Sequence, residues 1–288
     1  MDIIKNIPVS MIVCDLDGTL LSSDGVIPEG YIAALKKAQR LGIRLAIASG
    51  RLANVCSRIA KEHGLEDIAI IGMNGAHILR SPFGETLRLC AYDRPLAVDV
   101  LGIIKACGCM YNVYTEHGVY SNRQLDGEGM QAFSRHFRDS FVDIVVSSDA
   151  GQRALEHKVL KFLVRPDFGF EGYNRAKRMI CQLPGLYLTS SSESNFEVMQ
   201  AGLGKDEAVK ALAKSENIPM ERVMAFGDYD NDIPMLMASG YPVAMGNASG
   251  EAVNAARYRT KSNKDGGVGF AIELMLDGKL EEIRINRA

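Results

Sequence analysis

The chain has 288 residues, of which 47% are apolar and 24% charged, and its formal net charge is -2. That near-neutral balance gives no electrostatic case for nucleic acid or an anionic membrane as partner, and no apolar run approaches the ~20 residues that cross a bilayer. The opening MDIIKNIPVS lacks the basic start, apolar stretch and cleavage site of a signal peptide, so the expected compartment is the cytoplasm.

The first third alternates strand and helix patterns. Met11–Cys14 is a short apolar run of the kind buried on both faces of a parallel sheet. Glu29–Leu41 carries Tyr31, Ile32, Leu35, Ala38 and Leu41 at helical spacing, and Gly42 closes that helix. Ile43–Ala48 reads as a strand, Leu52–His63 as a helix closed by Gly64, and Ile68–Ile71 as a third strand. Strand–helix–strand–helix–strand with short links predicts a parallel sheet with right-handed crossovers.

The middle of the chain departs from this rhythm. YNVYTEHGVYSN predicts two strands around a turn at His117–Gly118. A helix is expected over Leu125–Phe137, with a core stripe of Met130, Phe133 and Phe137, then a strand over Val159–Val164, a helix over Tyr173–Gln182 and a strand over Gly185–Thr189. This is an α+β module set into an α/β domain. Its edges are expected in the turn-rich SPFGE and TSSSESN, giving a core of residues 1–83 and 191–288 and an insert of 84–190. The core rhythm then resumes with a helix over Lys205–Glu216 and a strand over Val223–Phe226. A helix over Ile233–Ser239, a strand over Pro242–Ala244 and helices over Gly250–Ala256 and Gly269–Leu276 complete it.

Four stretches carry chemistry. In VSMIVCDLDGTLL a buried-looking strand stops at Asp15, and Asp17 follows two places later. Ligands of parallel sheets bind beyond the carboxyl ends of the strands, and two acids held at one spot repel each other unless a cation lies between them. A bound Mg²⁺ resolves that conflict. In AIASGR, Ser49 follows the second strand, and its hydroxyl together with the N–H groups of Gly50 and Arg51 at a helix start suits a phosphate. Lys205 stands at a helix N-terminus, where the dipole favours an anion. FGDYDND places Asp228, Asp230, Asn231 and Asp232 in one loop after a strand, an acid density that suits an oxygen-ligated hard cation. Asn74, just past the third strand, reads equally as a site residue or a turn asparagine. Within the insert, Tyr114, Glu116, His117, Arg123 and Lys161 are candidate contacts for a substrate and also fit as solvated or structural residues. The six cysteines are scattered without a CxxC pair and read as small buried hydrophobes, and the five histidines form no metal-binding pattern along the sequence.

The order DLDGT, SGR, a lone lysine and GDYDND resembles the haloacid dehalogenase superfamily of phosphohydrolases. NGA at 74–76, NFEVMQAGLGK at 195–205, AMGNA at 244–248 and NKDGGVG at 263–269 resemble its Cof-type branch. The chain departs from the branch pattern at Asp206, where members usually have glycine, and at Ser49, where threonine is frequent.

The resemblance implies a Rossmann-like, doubly wound parallel core with the larger α/β cap inserted and closing over the site. It implies that Asp15 is the nucleophile and forms an aspartyl-phosphate, and that Asp17 is the general acid and base. Asp15, the main-chain carbonyl of Asp17 and Asp228 would hold Mg²⁺. Ser49, Lys205 and Asn231, with the N–H groups of Leu16 and Gly50, would hold the phosphoryl group, and Asp232 would orient Lys205 or a metal-bound water. The implied activity is hydrolysis of a small phosphomonoester, a sugar phosphate or a phosphorylated cofactor. Two alternatives stay open: a phosphomutase or sugar-phosphate-specific phosphatase of the same superfamily, and a non-catalytic phosphate-sensing regulator, since receiver domains also gather acids and a lysine at a parallel-sheet edge.

Overall fold

The computed structural model describes residues 7–123, 130–131, 137, 141–167, 169–190 and 195–285. The helix expected over Leu125–Phe137, with Phe133 of its stripe, falls largely outside the described residues. In chain order the strands are β1 Met11–Cys14, β2 Arg44–Ala48, β3 Ala69–Gly72, β4 His77–Leu79, β5 Thr86–Leu89, β6 Met110–Thr115, β7 Gly118–Ser121, β8 Asp143–Val146, β9 Val159–Arg165, β10 Leu186–Thr189, β11 Phe196–Gln200, β12 Val223–Gly227, β13 Tyr241–Ala244 and β14 Tyr258–Arg259. The helices are α1 Glu29–Arg40, α2 Ala53–Glu62, α3 Arg94–Ala106, α4 Ala150–Ala154, α5 Phe170–Ile180, α6 Lys205–Ser215, α7 Ile233–Ala238, α8 Gly250–Ala255 and α9 Gly267–Leu276.

The chain divides into two compact units, Met1–Arg88 with Gly204–Ala288, and Leu89–Leu203. These divisions fall beyond the turns in which the sequence places the edges. At the second edge the reason is β11, which pairs antiparallel with both β10 and β9 and so belongs to the sheet of the Leu89–Leu203 unit.

The first unit is built on a sheet of order β14-β13-β12-β1-β2-β3-β4-β5. β14, β13, β12, β1, β2 and β3 run parallel, and β4 turns back antiparallel on β3. All four residues of β1 are buried, as a strand covered on both faces requires. Met11, Val13, Ala46, Ile71 and Ala225 on one face pack against Val209 and Leu212 of α6 and Met235 and Leu236 of α7. The chain winds from β1 outward through β2 and β3, then starts again at β12 and winds the other way through β13 and β14. β1 and β12 are therefore the neighbours at which the strand order reverses, and a doubly wound sheet opens a crevice beyond the carboxyl ends of such a pair.

The second unit carries a sheet of order β10-β11-β9-β6-β7-β8, antiparallel except for the parallel pair β7 and β8. One face of that sheet, with Tyr111, Val113, Phe162, Val164, Phe196 and Val198, packs against apolar residues of α3 and α5 such as Val100, Ile104, Ala176 and Ile180.

Candidate active site

Asp15 is the first residue beyond β1, and its N–H donates to the carbonyl of Phe226 on β12 at 3.0 Å. Asp228 is the first residue beyond β12. The strand pair at the switch of winding thus delivers both acids to one place. Ser49, the first residue beyond β2, is buried, and its Oγ accepts from the Arg51 N–H at 3.2 Å. Its carbonyl accepts from the Asn74 N–H at 2.9 Å, which ties the end of β2 to the turn after β3.

Between Asp15 and the following helix the chain makes one tight turn, in which Gly18 has φ +78. A Cβ there would stand 2.2 Å from Asp228 Oδ2, so only glycine both adopts the backbone and leaves room for that carboxylate. Leu16 opens the turn and is fully buried. The Thr19 hydroxyl donates to Asp228 Oδ1 at 3.1 Å, and Asn247 Nδ2 donates to the Gly18 carbonyl at 2.8 Å.

Lys205, the first residue of α6, is fully buried and extends its ammonium between two carboxylates. Nζ lies 2.6 Å from Asp15 Oδ1 and 2.6 Å from Asp232 Oδ1. Burial alone would lower the affinity of that amine for its proton, but the two acids outweigh it and keep the lysine charged. The remaining oxygen of Asp232 accepts from the N–H groups of Asp228 and Tyr229 at 2.9 and 3.1 Å. Asp232 therefore holds both the lysine and the loop that carries Asp228. Asp206, in the first turn of α6, is 3.0 Å from Lys210 and adds negative charge where the dipole favours it, so the departure from glycine is accommodated.

The acids crowd one another. Burial, and then the charges of Asp232, Asp228 and Asp17, push the Asp15 carboxyl far above the usual range, with Lys205 pulling the other way. Burial and the charge of Asp232 push Asp228 up to about 7. Carboxylate oxygens of Asp15, Asp228 and Asp232 lie within 4.8 Å of one another, a donor set of oxygens alone that suits a hard divalent cation.

Asp17 points differently. Arg51 Nε donates to Asp17 Oδ2 at 2.8 Å and Nη2 donates to Oδ1, a two-pronged pair in which the carboxylate is 58% exposed. Asn231 Nδ2 reaches Asn74 Oδ1 at 3.4 Å, so these two predicted residues meet each other, and Gly50 lies between Ser49 and Arg51 in the same loop. The side chains of Arg51, Thr19 and Asn247 join the site without any sequence signal of their own beyond lying inside the motifs SGR, DLDGT and AMGNA. Of the insert candidates, Lys161 donates to Glu197 at 3.1 Å with both side chains buried, and its ammonium sits 4.8 Å from the Tyr114 ring centre.

A doubly wound sheet with an inserted α+β unit and an acid–lysine cluster at its switch point defines a hydrolase class, and the family comparison names it. The sequence model of the haloacid dehalogenase-like hydrolases matches residues 12–272. The chain belongs to that family, in its Cof-type branch. Phosphatase YwpJ of Bacillus subtilis (strain 168) is 29% identical over 93% of this chain and 100% of its own. The 5-amino-6-(5-phospho-D-ribitylamino)uracil phosphatase YcsE of the same strain is 27% identical over 93% of this chain and 96% of its own. A solved structure of a haloacid dehalogenase-like hydrolase from B. subtilis is similar with a TM-score of 0.77 at 28% identity, covering 92% of this chain and 99% of that one.

Proposed function

We propose that this protein is a Mg²⁺-dependent phosphatase that hydrolyses small phosphorylated metabolites through an aspartyl-phosphate on Asp15. That the chain is a phosphoric monoester hydrolase follows from its family and from the phosphatases related to it along nearly their whole length. The observation that carries the finer reading is Lys205, fully buried and shared at 2.6 Å by Asp15 and Asp232. A buried ammonium so held leaves Asp15 aligned beside a positive charge, which is what a carboxylate needs to approach a dianionic phosphate.

The charge balance supports the metal. Asp15, Asp17, Asp228 and Asp232, if all were ionised, would set four negative charges against the two positive ones of Lys205 and Arg51, and a divalent cation would offset the crowding that raises Asp15 and Asp228 in its absence. Asp15 and Asp228, with the Asp17 main chain, would hold Mg²⁺, while Asp232 is committed to Lys205 and to the loop amides. When bound, Mg²⁺ supplies positive charge against the phosphoryl oxygens.

In the first step a carboxylate oxygen of Asp15 attacks phosphorus and the bond to the leaving alkoxide breaks. Asp17 gives that alkoxide its proton. In the second step Asp17 takes a proton from water as the water oxygen attacks phosphorus, the Asp15–phosphorus bond breaks, and inorganic phosphate leaves. A positioned acid is typically worth ~10²–10⁴-fold. Ser49, Lys205 and Asn231, with the N–H groups of Leu16 and Gly50, bind the phosphoryl oxygens, and Asn74 positions Asn231.

The name of the relative YcsE, a phosphatase of a phosphorylated ribitylamino-pyrimidine, supports a sugar-like or cofactor-related phosphomonoester as substrate. The test is phosphate release across sugar phosphates, nucleotides and phosphorylated cofactors, with and without EDTA. Release that EDTA abolishes and Mg²⁺ restores supports the reading. Full turnover in EDTA, or full activity in Asp15→Asn, overturns it.

A further inference from the structure

The second unit brings together three residues that lie far apart in sequence. Glu116 and His117 form the turn of the β6–β7 hairpin, and His157 lies just before β9. Their backbones are fixed to one another. β6 and β9 are paired at Thr115 and Val159, and the Glu116 N–H donates to the Lys158 carbonyl at 3.3 Å. The Thr115 hydroxyl accepts from the N–H groups of His117 and Gly118 at 3.3 and 3.1 Å, and the His117 carbonyl accepts from Asp143 at 2.9 Å. The His157 ring stands edge-on to His117 with centres 5.4 Å apart, and Tyr120 covers it at 5.6 Å.

One donor atom from each of Glu116, His117 and His157 lies within 4.8 Å of the others. Glu116 Oε1 is 3.7 Å from His117 Nε2, whereas Glu116 Oε2 is buried and accepts no hydrogen bond from any described residue. A buried carboxylate oxygen left without a donor is costly, and a carboxylate whose other oxygen stands 3.7 Å from one imidazole nitrogen, with a second imidazole within 4.8 Å, suits a bound cation. From this juxtaposition we infer that Glu116, His117 and His157 bind a borderline divalent transition-metal ion such as Zn²⁺.

The donor chemistry separates this site from the acid cluster of the first unit. Two imidazoles and one carboxylate favour Zn²⁺ and its neighbours over Mg²⁺, which prefers oxygen. Ligands about 2.0–2.1 Å from a tetrahedral ion stand roughly 3.3–3.4 Å apart, so the donors must close by no more than about 1.5 Å. The His117 side chain, 59% exposed, has solvent on one side into which its ring can turn. Three protein ligands leave the fourth position to water, and the bound ion would clamp the hairpin turn to the segment leading into β9. The inference does not depend on the phosphatase reading.

The test uses the full chain in excess Mg²⁺, titrated with Co²⁺ as a coloured stand-in for Zn²⁺. The expected result is the intense visible absorption of a four-coordinate site, saturating at one equivalent and bleached by Zn²⁺. His117→Gln and His157→Gln should each weaken binding by more than about tenfold, an effect at least as large as loss of an outer-shell partner. Asp228→Asn should leave the band in place. Unfolding curves in EDTA for His117→Gln, changed at an exposed position, verify that the fold is intact. No such band at one equivalent, or equal binding by wild type and the His117→Gln/His157→Gln double variant, overturns the assignment.

Discussion

Asp17 and Arg51 show how much one contact changes the meaning of a residue. The sequence places Asp17 near Asp15 and its role follows from resemblance, but both oxygens of its carboxylate accept from the one guanidinium of Arg51, and a cation so placed favours the charged form of an acid. To deliver a proton Asp17 must leave that grip, so Arg51 should set the pH range over which the acid works. Arg51→Gln removes the cation beside the Asp17 carboxylate and should move the alkaline limb of the kcat/KM profile to higher pH. An unmoved limb would contradict the acid role of Asp17. Asp228 supplies a second test. Its carboxyl is raised from the ordinary 3.8 to about 7, so between those values the metal-free native state keeps a proton that the unfolded chain has released. Stability of the metal-free protein should therefore fall as pH rises through that window, and Mg²⁺ should restore more of it at pH 8 than at pH 5. Thermal unfolding in EDTA and in Mg²⁺ at both values checks this. An equal gap at the two would contradict a metal site that includes Asp228. The acids and the lysine were legible because their positions beyond strands, and the oddity of Lys205 at a helix start, are sequence properties. The partner of Asp17 was not, because an arginine side chain reaches across space in a direction no spacing records.

At the scale of elements, the parallel strands were legible because apolar runs such as Met11–Cys14 and Val223–Phe226 are bounded by glycine and acids. The strand β11, FEVMQ, was not, because Glu197 breaks the apolar pattern, and its burial is matched by its pairing with the buried Lys161 on β9. β4 and β5 are short strands at the antiparallel margin of the sheet, where partial exposure blurs alternation. In α3, Gly102 and two β-branched valines obscure the helical signal. Elements also explain the remaining motifs. Asn247 of AMGNA accepts from the Asn263 N–H at 3.0 Å, and Asn263 of NKDGGVG donates to the Leu21 carbonyl at 2.8 Å. The Tyr31 hydroxyl of α1 donates to the Asn263 carbonyl at 2.9 Å. These bonds lash the turn that carries Asp17 and Gly18 to the loops after β13 and β14. Asn263→Ala should leave the buried Leu21 carbonyl without its donor and cost about 1–3 kcal/mol in denaturant unfolding. Weaker Mg²⁺ binding should accompany it. Unchanged stability would show that the network does not support the turn.

For the whole molecule, the governing fact is the reversal of winding between β1 and β12, which sets Asp15 beside Asp228, while Lys205 at the start of α6 bridges Asp15 and Asp232. The doubly wound core was legible from the rhythm of strand and helix at both ends of the chain. The division into units was legible only in outline, because β11 declares its sheet through pairing. No helix among the described residues is long and apolar enough to cross a membrane. Of the Glu116–His117–His157 cluster, the sequence offers the adjacent Glu116 and His117 but not His157, which joins them through the β6–β9 pairing. The central claim is that Asp15 carries the phosphoryl group between its two transfers. Turnover with a substrate from the phosphomonoester screen, quenched in borohydride, would reduce an acyl-phosphate at position 15 to homoserine, which peptide mass spectrometry identifies. The expected result is that conversion at Asp15, dependent on substrate and Mg²⁺ and absent in Asp15→Asn. Rapid phosphate release with Asp15 unmodified under the same quench would contradict it.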